Sequence, residues 1–155
     1  MSRVFVALDT PDLEEALALG ARVAPHVAGL KLGLEFLTAN GPQGLRKMAE
    51  LGLPIFADTK FHDIPNTVAD AARALAGLGA AIFNVHAAGG EAMMRAALEA
   101  AREADPKIKV IAVTVLTSLD DAALVGVGLQ PPVGDLVLRL ATLARGCGLD
   151  GVVCS

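Results

Sequence analysis

The feature that most constrains this chain is an alternation that runs its whole length. Short apolar runs, each long enough for one strand, take turns with longer stretches patterned at helical spacing. Strands are expected near Val4–Asp9, Gly29–Gly33, Leu53–Lys60, Ala80–His86, Lys109–Leu116 and Gly151–Cys154. A first helix follows Thr10, with Thr10 as its cap, Pro11 in the first helical position and Asp12, Glu14 and Glu15 near the positive end of the helix. Further helices are expected within Gly44–Leu51 and over Thr67–Leu78, Glu91–Ala104 and Asp135–Cys147, with glycines such as Gly79, Gly90 and Gly148 at the joins. Strand and helix in this order imply parallel strands joined by right-handed crossovers.

Two α/β architectures satisfy that order: an open doubly wound sheet and a closed (β/α)8 TIM barrel. Helices cover both faces of an open sheet, so its strands read as continuous apolar runs. Here one face of each early strand ends in a polar group. Phe5 and Ala7 lead to Asp9, Gly29 leads to Lys31, Phe56 leads to Asp58 and Lys60, and Ile82 and Asn84 lead to His86. Four consecutive strands thus deliver ionisable groups near their C-terminal ends, where barrel active sites are built. The pattern favours the TIM barrel. A whole barrel takes about 250 residues, so the 155 residues of this chain are read as one domain, 1–155, holding about six of the eight βα units. A barrel lacking its last two strands has two unpaired sheet edges, and the isolated chain is expected to be unstable or prone to associate.

Composition narrows the class further. Hydrophobic residues make up 54% of the chain, enough for a sizeable core, and the formal net charge is −4. There is no basic stripe, no Trp and no Tyr, which argues against a nucleic-acid partner or an anionic membrane surface. No window approaches the roughly 18 apolar residues of a membrane span, and the N-terminal segment lacks the pattern of a signal peptide. Cys147 and Cys154 form no metal-type pair and read as reduced thiols of a cytoplasmic protein. No His pair has metal-ligand spacing, so no metal site is expected. Gly126 and Gly128 lack the rest of a dinucleotide fingerprint and read as a turn.

The densest chemistry lies in Asp58-Thr59-Lys60-Phe61-His62-Asp63-Ile64-Pro65-Asn66-Thr67. Asp58 and Lys60, two apart on a strand, point the same way, Asp63 follows at the turn, and Lys31 comes from the neighbouring strand. Lys31, Asp58, Lys60 and Asp63 then offer alternating charges. Carboxylates beside a lysine favour its charged form. Such a lysine is an acid with a fixed ammonium and a poor amine nucleophile, which argues against a Schiff-base aldolase. The chemical reading is protonation of a carbanion formed by loss of CO2 or of a proton. The other reading is a salt-bridged cluster that closes the barrel rim.

The segment DTKFHDIPNT, preceded by VALDT and GLKLG and followed by NVHAAGG and VTVLTS, resembles the orotidine 5'-phosphate decarboxylase family, with the blocks in the family's order. The resemblance implies a TIM barrel that converts orotidine 5'-monophosphate to UMP and CO2, without metal or organic cofactor. It implies that Lys60 is the proton donor to C6 of the pyrimidine and that Asp58 lies beside the substrate carboxylate. By the same resemblance Lys31 bridges the ribose and the charge network, Asp9 binds the ribose hydroxyls, and Thr117 (or Ser118) contacts the pyrimidine edge. Asp63, Ile64 and Thr67 are implied to serve the partner's site across a homodimer interface. The arginine and mobile loop that grip the phosphate in this family have no counterpart in these residues, and the sequence is read as truncated. Two other readings remain: a metal-dependent sugar-phosphate decarboxylase or synthase of the same superfamily, and a non-catalytic partial barrel.

Smaller features carry less. His86 is read as structural, His62 is given no direct chemical role, and His26 is placed at the surface. Met93 and Met94 are expected in the core. Asp120–Gly134 is expected to be either a lid or a plain connection.

Overall fold

In the computed structural model, which describes residues 2–154, the alternation becomes six strands and six α-helices among the described residues. The order is β1 (Phe5–Leu8), α1 (Leu13–Val23), β2 (Gly29–Leu32), α2 (Leu34–Ala49), β3 (Ile55–Phe61), α3 (Pro65–Ala76), β4 (Ile82–His86), α4 (Glu91–Ala104), β5 (Lys109–Val113), α5 (Asp121–Gly126), α6 (Val133–Gly146) and β6 (Gly151–Val153). The strands pair in chain order and every pair is parallel. The sheet is the curled, incomplete wall of a TIM barrel. Among the described residues β1 and β6 each have a strand neighbour on one side only. No helix among them is long and apolar enough to cross a membrane.

The two faces of the sheet differ, as the strand pattern requires. Leu8, Leu30, Leu32, Ile55, Ala57, Phe83, Val85, Val110 and Ala112 are all fully buried and turn toward the helices. Phe36, Met48, Val68, Ala72, Met93, Met94, Ala97 and Leu140 meet them from the helix layer. That interface is the core, and α3 packs along α4 outside it. The inner face carries a row set by the register: Ala7 beside Lys31, Lys31 beside Phe56, Phe56 beside Ile82. Most of this row is only half-buried, and it is the row that ends in charge.

Gly29 opens β2 beside Phe5. A Cβ there would collide with the Phe5 ring and with the Pro54 carbonyl oxygen, the same oxygen that accepts from the Leu30 N–H. Gly29→Ala therefore pries β1 from β2. It is expected to lower stability by roughly 1–3 kcal/mol, the usual range for overpacking, read as a shift of the urea midpoint.

Three expectations need correction. Asp12, not Thr10, caps α1. Its carboxylate accepts the Glu15 N–H at 2.9 Å, while the Thr10 hydroxyl is occupied with the Glu15 carboxylate at 2.6 Å. The second helix starts at Leu34, not near Gly44. Gly41, at φ +58° and ψ −157°, kinks it in two, and Pro42 restarts it. The stretch before the kink is too short for its periodicity to stand out in sequence. The segment Asp120–Gly134 is not all loop. Asp120 accepts the Ala123 N–H and caps the short helix α5, and α6 already begins at Val133.

Candidate active site

The site is assembled at the C-terminal ends of β1 to β5. Lys31 leaves the inner face of β2, Asp58 and Lys60 leave β3, and Asp9 follows β1. Lys60 Nζ lies 2.7 Å from Asp58 Oδ1. Lys31 Nζ lies 3.5 Å from Asp58 Oδ2 and 3.6 Å from Asp9 Oδ1. The result is a chain of alternating charge, Asp9–Lys31–Asp58–Lys60. Asp58 is its most enclosed member, with a side chain only 14% exposed.

Burial pushes the Asp58 carboxyl up. Hydrogen bonds from Lys60 and Asn84, with the charges of Lys60 and Lys31, outweigh it and hold Asp58 below the usual carboxylate range. Asp58 is therefore a fixed anion at neutral pH, with an ammonium on each side.

The backbone beneath this pair is unusual. Lys60 sits at φ +50°, in the left-handed region that non-glycine residues rarely enter. The β3–β4 register shifts at the same place: Ala57 pairs with Phe83 and Phe61 with Val85. Asp58, Thr59 and Lys60 thus bulge opposite the single residue Asn84. A strained residue at a charged cluster is a mark of a functional site.

A cavity of about 260 Å3 opens above the cluster, lined by Lys31, Asp58, Lys60 and Thr117 among others. Phe56, Val113 and Val153 supply its apolar floor. Two of the three larger hollows, beside Gln130 and Arg139 and beside Arg145 and Asp150, hold no buried charged side chain. Among the described residues no cluster of three or more His, Cys, Asp or Glu could hold a metal ion.

The expected site residues divide into two groups. Lys31, Asp58, Lys60 and Thr117 line the cavity, and Asp9 joins them through Lys31. Asp63, Ile64 and Thr67 do not join them within one chain. Asp63 Oδ1 accepts the Ile64 N–H at 2.6 Å, and all three residues are exposed at the turn into α3. Asp63 and Thr67 line a separate hollow of about 330 Å3 on the other side of Lys60. Asp9 takes the outer place in the charge chain that the spacing had offered to Asp63.

Sequence reasoning noted Asn84 only as sharing a face with His86. Among the described residues it is the one buried side chain that hydrogen-bonds both Asp58 and the Lys60 backbone. The signal was available: a lone amide inside the apolar strand IFNVH asks for partners.

His86 follows on β4, its ring stacked at 5.4 Å on His62. Burial, then His62 and Lys60, push the His86 imidazole toward its neutral form, against a smaller opposing pull from Asp58. A histidine whose folded value lies below its unfolded value near 6.5 adds stability above that pH, and loses it as pH falls through the folded value. The urea midpoint is expected to drop as pH is lowered from 7.5 to below 6. His86→Gln removes its share of that slope, and an unchanged slope would contradict the assignment.

The sequence matches the model of the "Orotidine 5'-phosphate decarboxylase / HUMPS family" over residues 2–155. An orotidine 5'-phosphate decarboxylase of Sphingopyxis alaskensis is 57% identical over 154 residues, covering 99% of this chain and 67% of that protein. Among solved structures, an uncharacterized conserved protein from Geobacillus kaustophilus superposes with a TM-score of 0.91 at 41% identity, covering 97% of this chain and 72% of that one. Orotidine 5'-phosphate decarboxylase from Lactobacillus acidophilus does so with a TM-score of 0.88 at 37% identity, covering 100% and 72%. The chain spans about two thirds of the length of the curated relatives it matches. A family match along nearly its whole length, joined to relatives above half identity, means that this chain belongs to the orotidine 5'-phosphate decarboxylase / HUMPS family.

Proposed function

We propose that the protein carrying this chain converts orotidine 5'-monophosphate to UMP and CO2, the last step of de novo pyrimidine synthesis. In this reading it is a single-domain barrel that works as a cytoplasmic homodimer, without metal or organic cofactor. The observation that carries the proposal is the Lys60 ammonium, held 2.7 Å from Asp58 on the wall of the cavity.

The chemistry follows from that pair. Asp58 lies beside the substrate carboxylate and disfavours it in the ground state. The C6–carboxylate bond breaks, its electron pair stays on C6, and CO2 leaves. The Lys60 ammonium faces the growing charge and gives C6 a proton. Neutral Lys60 then regains a proton from water. A preplaced cation stabilises the carbanionic transition state more than the substrate, which is what lowers a barrier. Lys31 holds Asp58 from the far side and reaches the ribose, Asp9 takes the ribose hydroxyls, and Thr117 takes the pyrimidine edge. Asp63, Ile64 and Thr67, exposed at one turn, act in the partner's site.

The test is direct conversion of orotidine 5'-monophosphate, with and without a chelator. UMP formed at the same rate in both supports the reading. Activity lost to the chelator and restored by a divalent cation would favour the metal-dependent sugar-phosphate alternative. No turnover by a folded sample would favour the non-catalytic one.

A further inference from the structure

We propose that Asn84 is the positioning residue of the Asp58–Lys60 pair, a single amide that clamps the bulge on which both side chains stand. The inference rests on the decarboxylase reading for its catalytic consequence. For its structural content it rests on geometry alone.

Asn84 is 1% exposed and lies on the inner face of β4. Opposite it the bulge presents Asp58, Thr59 and Lys60, which have no ladder partners of their own there. Asn84 serves all three. Its Nδ2 donates to Asp58 Oδ1 at 2.6 Å, its Oδ1 accepts the Lys60 N–H at 2.7 Å, and its carbonyl accepts the Thr59 hydroxyl at 2.9 Å. The first two bonds have opposite polarity, so the side chain must donate and accept at once from adjacent atoms. An ionised Asp only accepts, Ser and Thr have one group, and Gln is a methylene longer.

The clamp has two effects. The bond to the Lys60 N–H holds that residue in its left-handed conformation, which an unsupported lysine leaves readily. The bond to Asp58 occupies Oδ1, the oxygen that also takes Lys60 Nζ, and leaves Oδ2 to Lys31. Asn84 thereby fixes which oxygen faces which ammonium without lining the cavity itself. The titratable groups around Asp58 are Lys31 on β2, Lys60 on β3 and His86 on β4, the last stacked on His62. All remain in the variants below.

Two substitutions separate positioning from mere packing by their opposite pH behaviour. Asn84→Ala removes the donor, so Asp58 takes a proton at higher pH than before, and activity relative to the unsubstituted protein falls further as pH is lowered. Asn84→Asp keeps the shape. Ionised, its new carboxylate repels Asp58; protonated, it again offers one donor and one acceptor, and the two carboxyls titrate as a pair. Its relative activity therefore rises as pH is lowered. At neutral pH both variants lose roughly 10- to 100-fold in kcat, the size of one lost hydrogen bond to a charged group, with KM little changed. Parallel pH profiles for the two variants, or loss confined to KM, would overturn the proposal.

A second measurement needs no turnover. In carbon-13 NMR of the unliganded protein the Asp58 carboxyl titrates at higher pH in Asn84→Ala than in the unsubstituted chain. In the unsubstituted chain the Asn84 amide protons shift together with that carboxyl. An unmoved Asp58 in folded Asn84→Ala overturns the clamp, and an amide blind to the Asp58 titration in the unsubstituted chain overturns it even if neither variant folds. A moved Asp58 in a protein that does not turn over orotidine 5'-monophosphate upholds the clamp and overturns the decarboxylase reading instead.

Discussion

Lys60→Ala is expected to lower kcat/KM by more than about 1000-fold. One preorganised donor to a developing oxyanion contributes about 3–4 kcal/mol, and Lys60 supplies two things at once, the cation that faces the carbanion and the proton that quenches it. The loss should fall mainly on kcat, because the ammonium acts where charge develops and does not hold remote parts of the substrate. Removing it also leaves Asp58 without its 2.7 Å partner, so part of the effect will come from an enclosed carboxylate held only by Lys31 and Asn84. Lys60→Arg separates the two. A guanidinium keeps a cation beside Asp58 but does not give up its proton, so a variant that folds and binds nucleotide yet fails to turn over isolates the acid. A loss below about 1 kcal/mol in Lys60→Ala would remove Lys60 from the chemistry.

The second large effect concerns Asp63. Within one chain it caps its own turn and makes no ion pair among the described residues, which is what a residue serving a partner's site requires. Lys60→Ala and Asp63→Ala should each be nearly inactive alone. Mixed and allowed to exchange subunits, they should recover roughly a quarter of the unsubstituted activity. In a two-fold dimer, random reassortment makes half the dimers mixed, and each mixed dimer holds one site with an intact lysine from one chain and an intact aspartate from the other. A mixture no more active than the sum of its parts would return Asp63 to its own chain or remove it from the site.

The architecture was legible in the sequence for a physical reason. A strand that faces helices on one side and a barrel interior on the other must alternate, and Phe56, Asp58 and Lys60 against Ile55 and Ala57 display that alternation. Charges at the ends of four successive strands then mark the candidate site. What stayed hidden was local. The kink at Gly41 and the short helix after Asp120 depend on single capping and turn residues, which periodicity averages away. Strict alternation also presumes regular backbone, so the left-handed Lys60 and the bulge around it were invisible, and with them the partner of that bulge, Asn84. The role proposed for Asp63 is hidden from one chain altogether, because it depends on a second copy.

The central claim is that Lys60 delivers a proton to C6 as CO2 leaves. The most direct measurement is the isotope at C6 of UMP formed from orotidine 5'-monophosphate in heavy water, compared between the unsubstituted protein and Lys60→Ala. The Lys60 ammonium exchanges with solvent, so UMP carrying deuterium at C6 is predicted from the unsubstituted protein, and essentially no UMP from the variant. UMP without deuterium at C6, or UMP formed by Lys60→Ala at an undiminished rate, would contradict it.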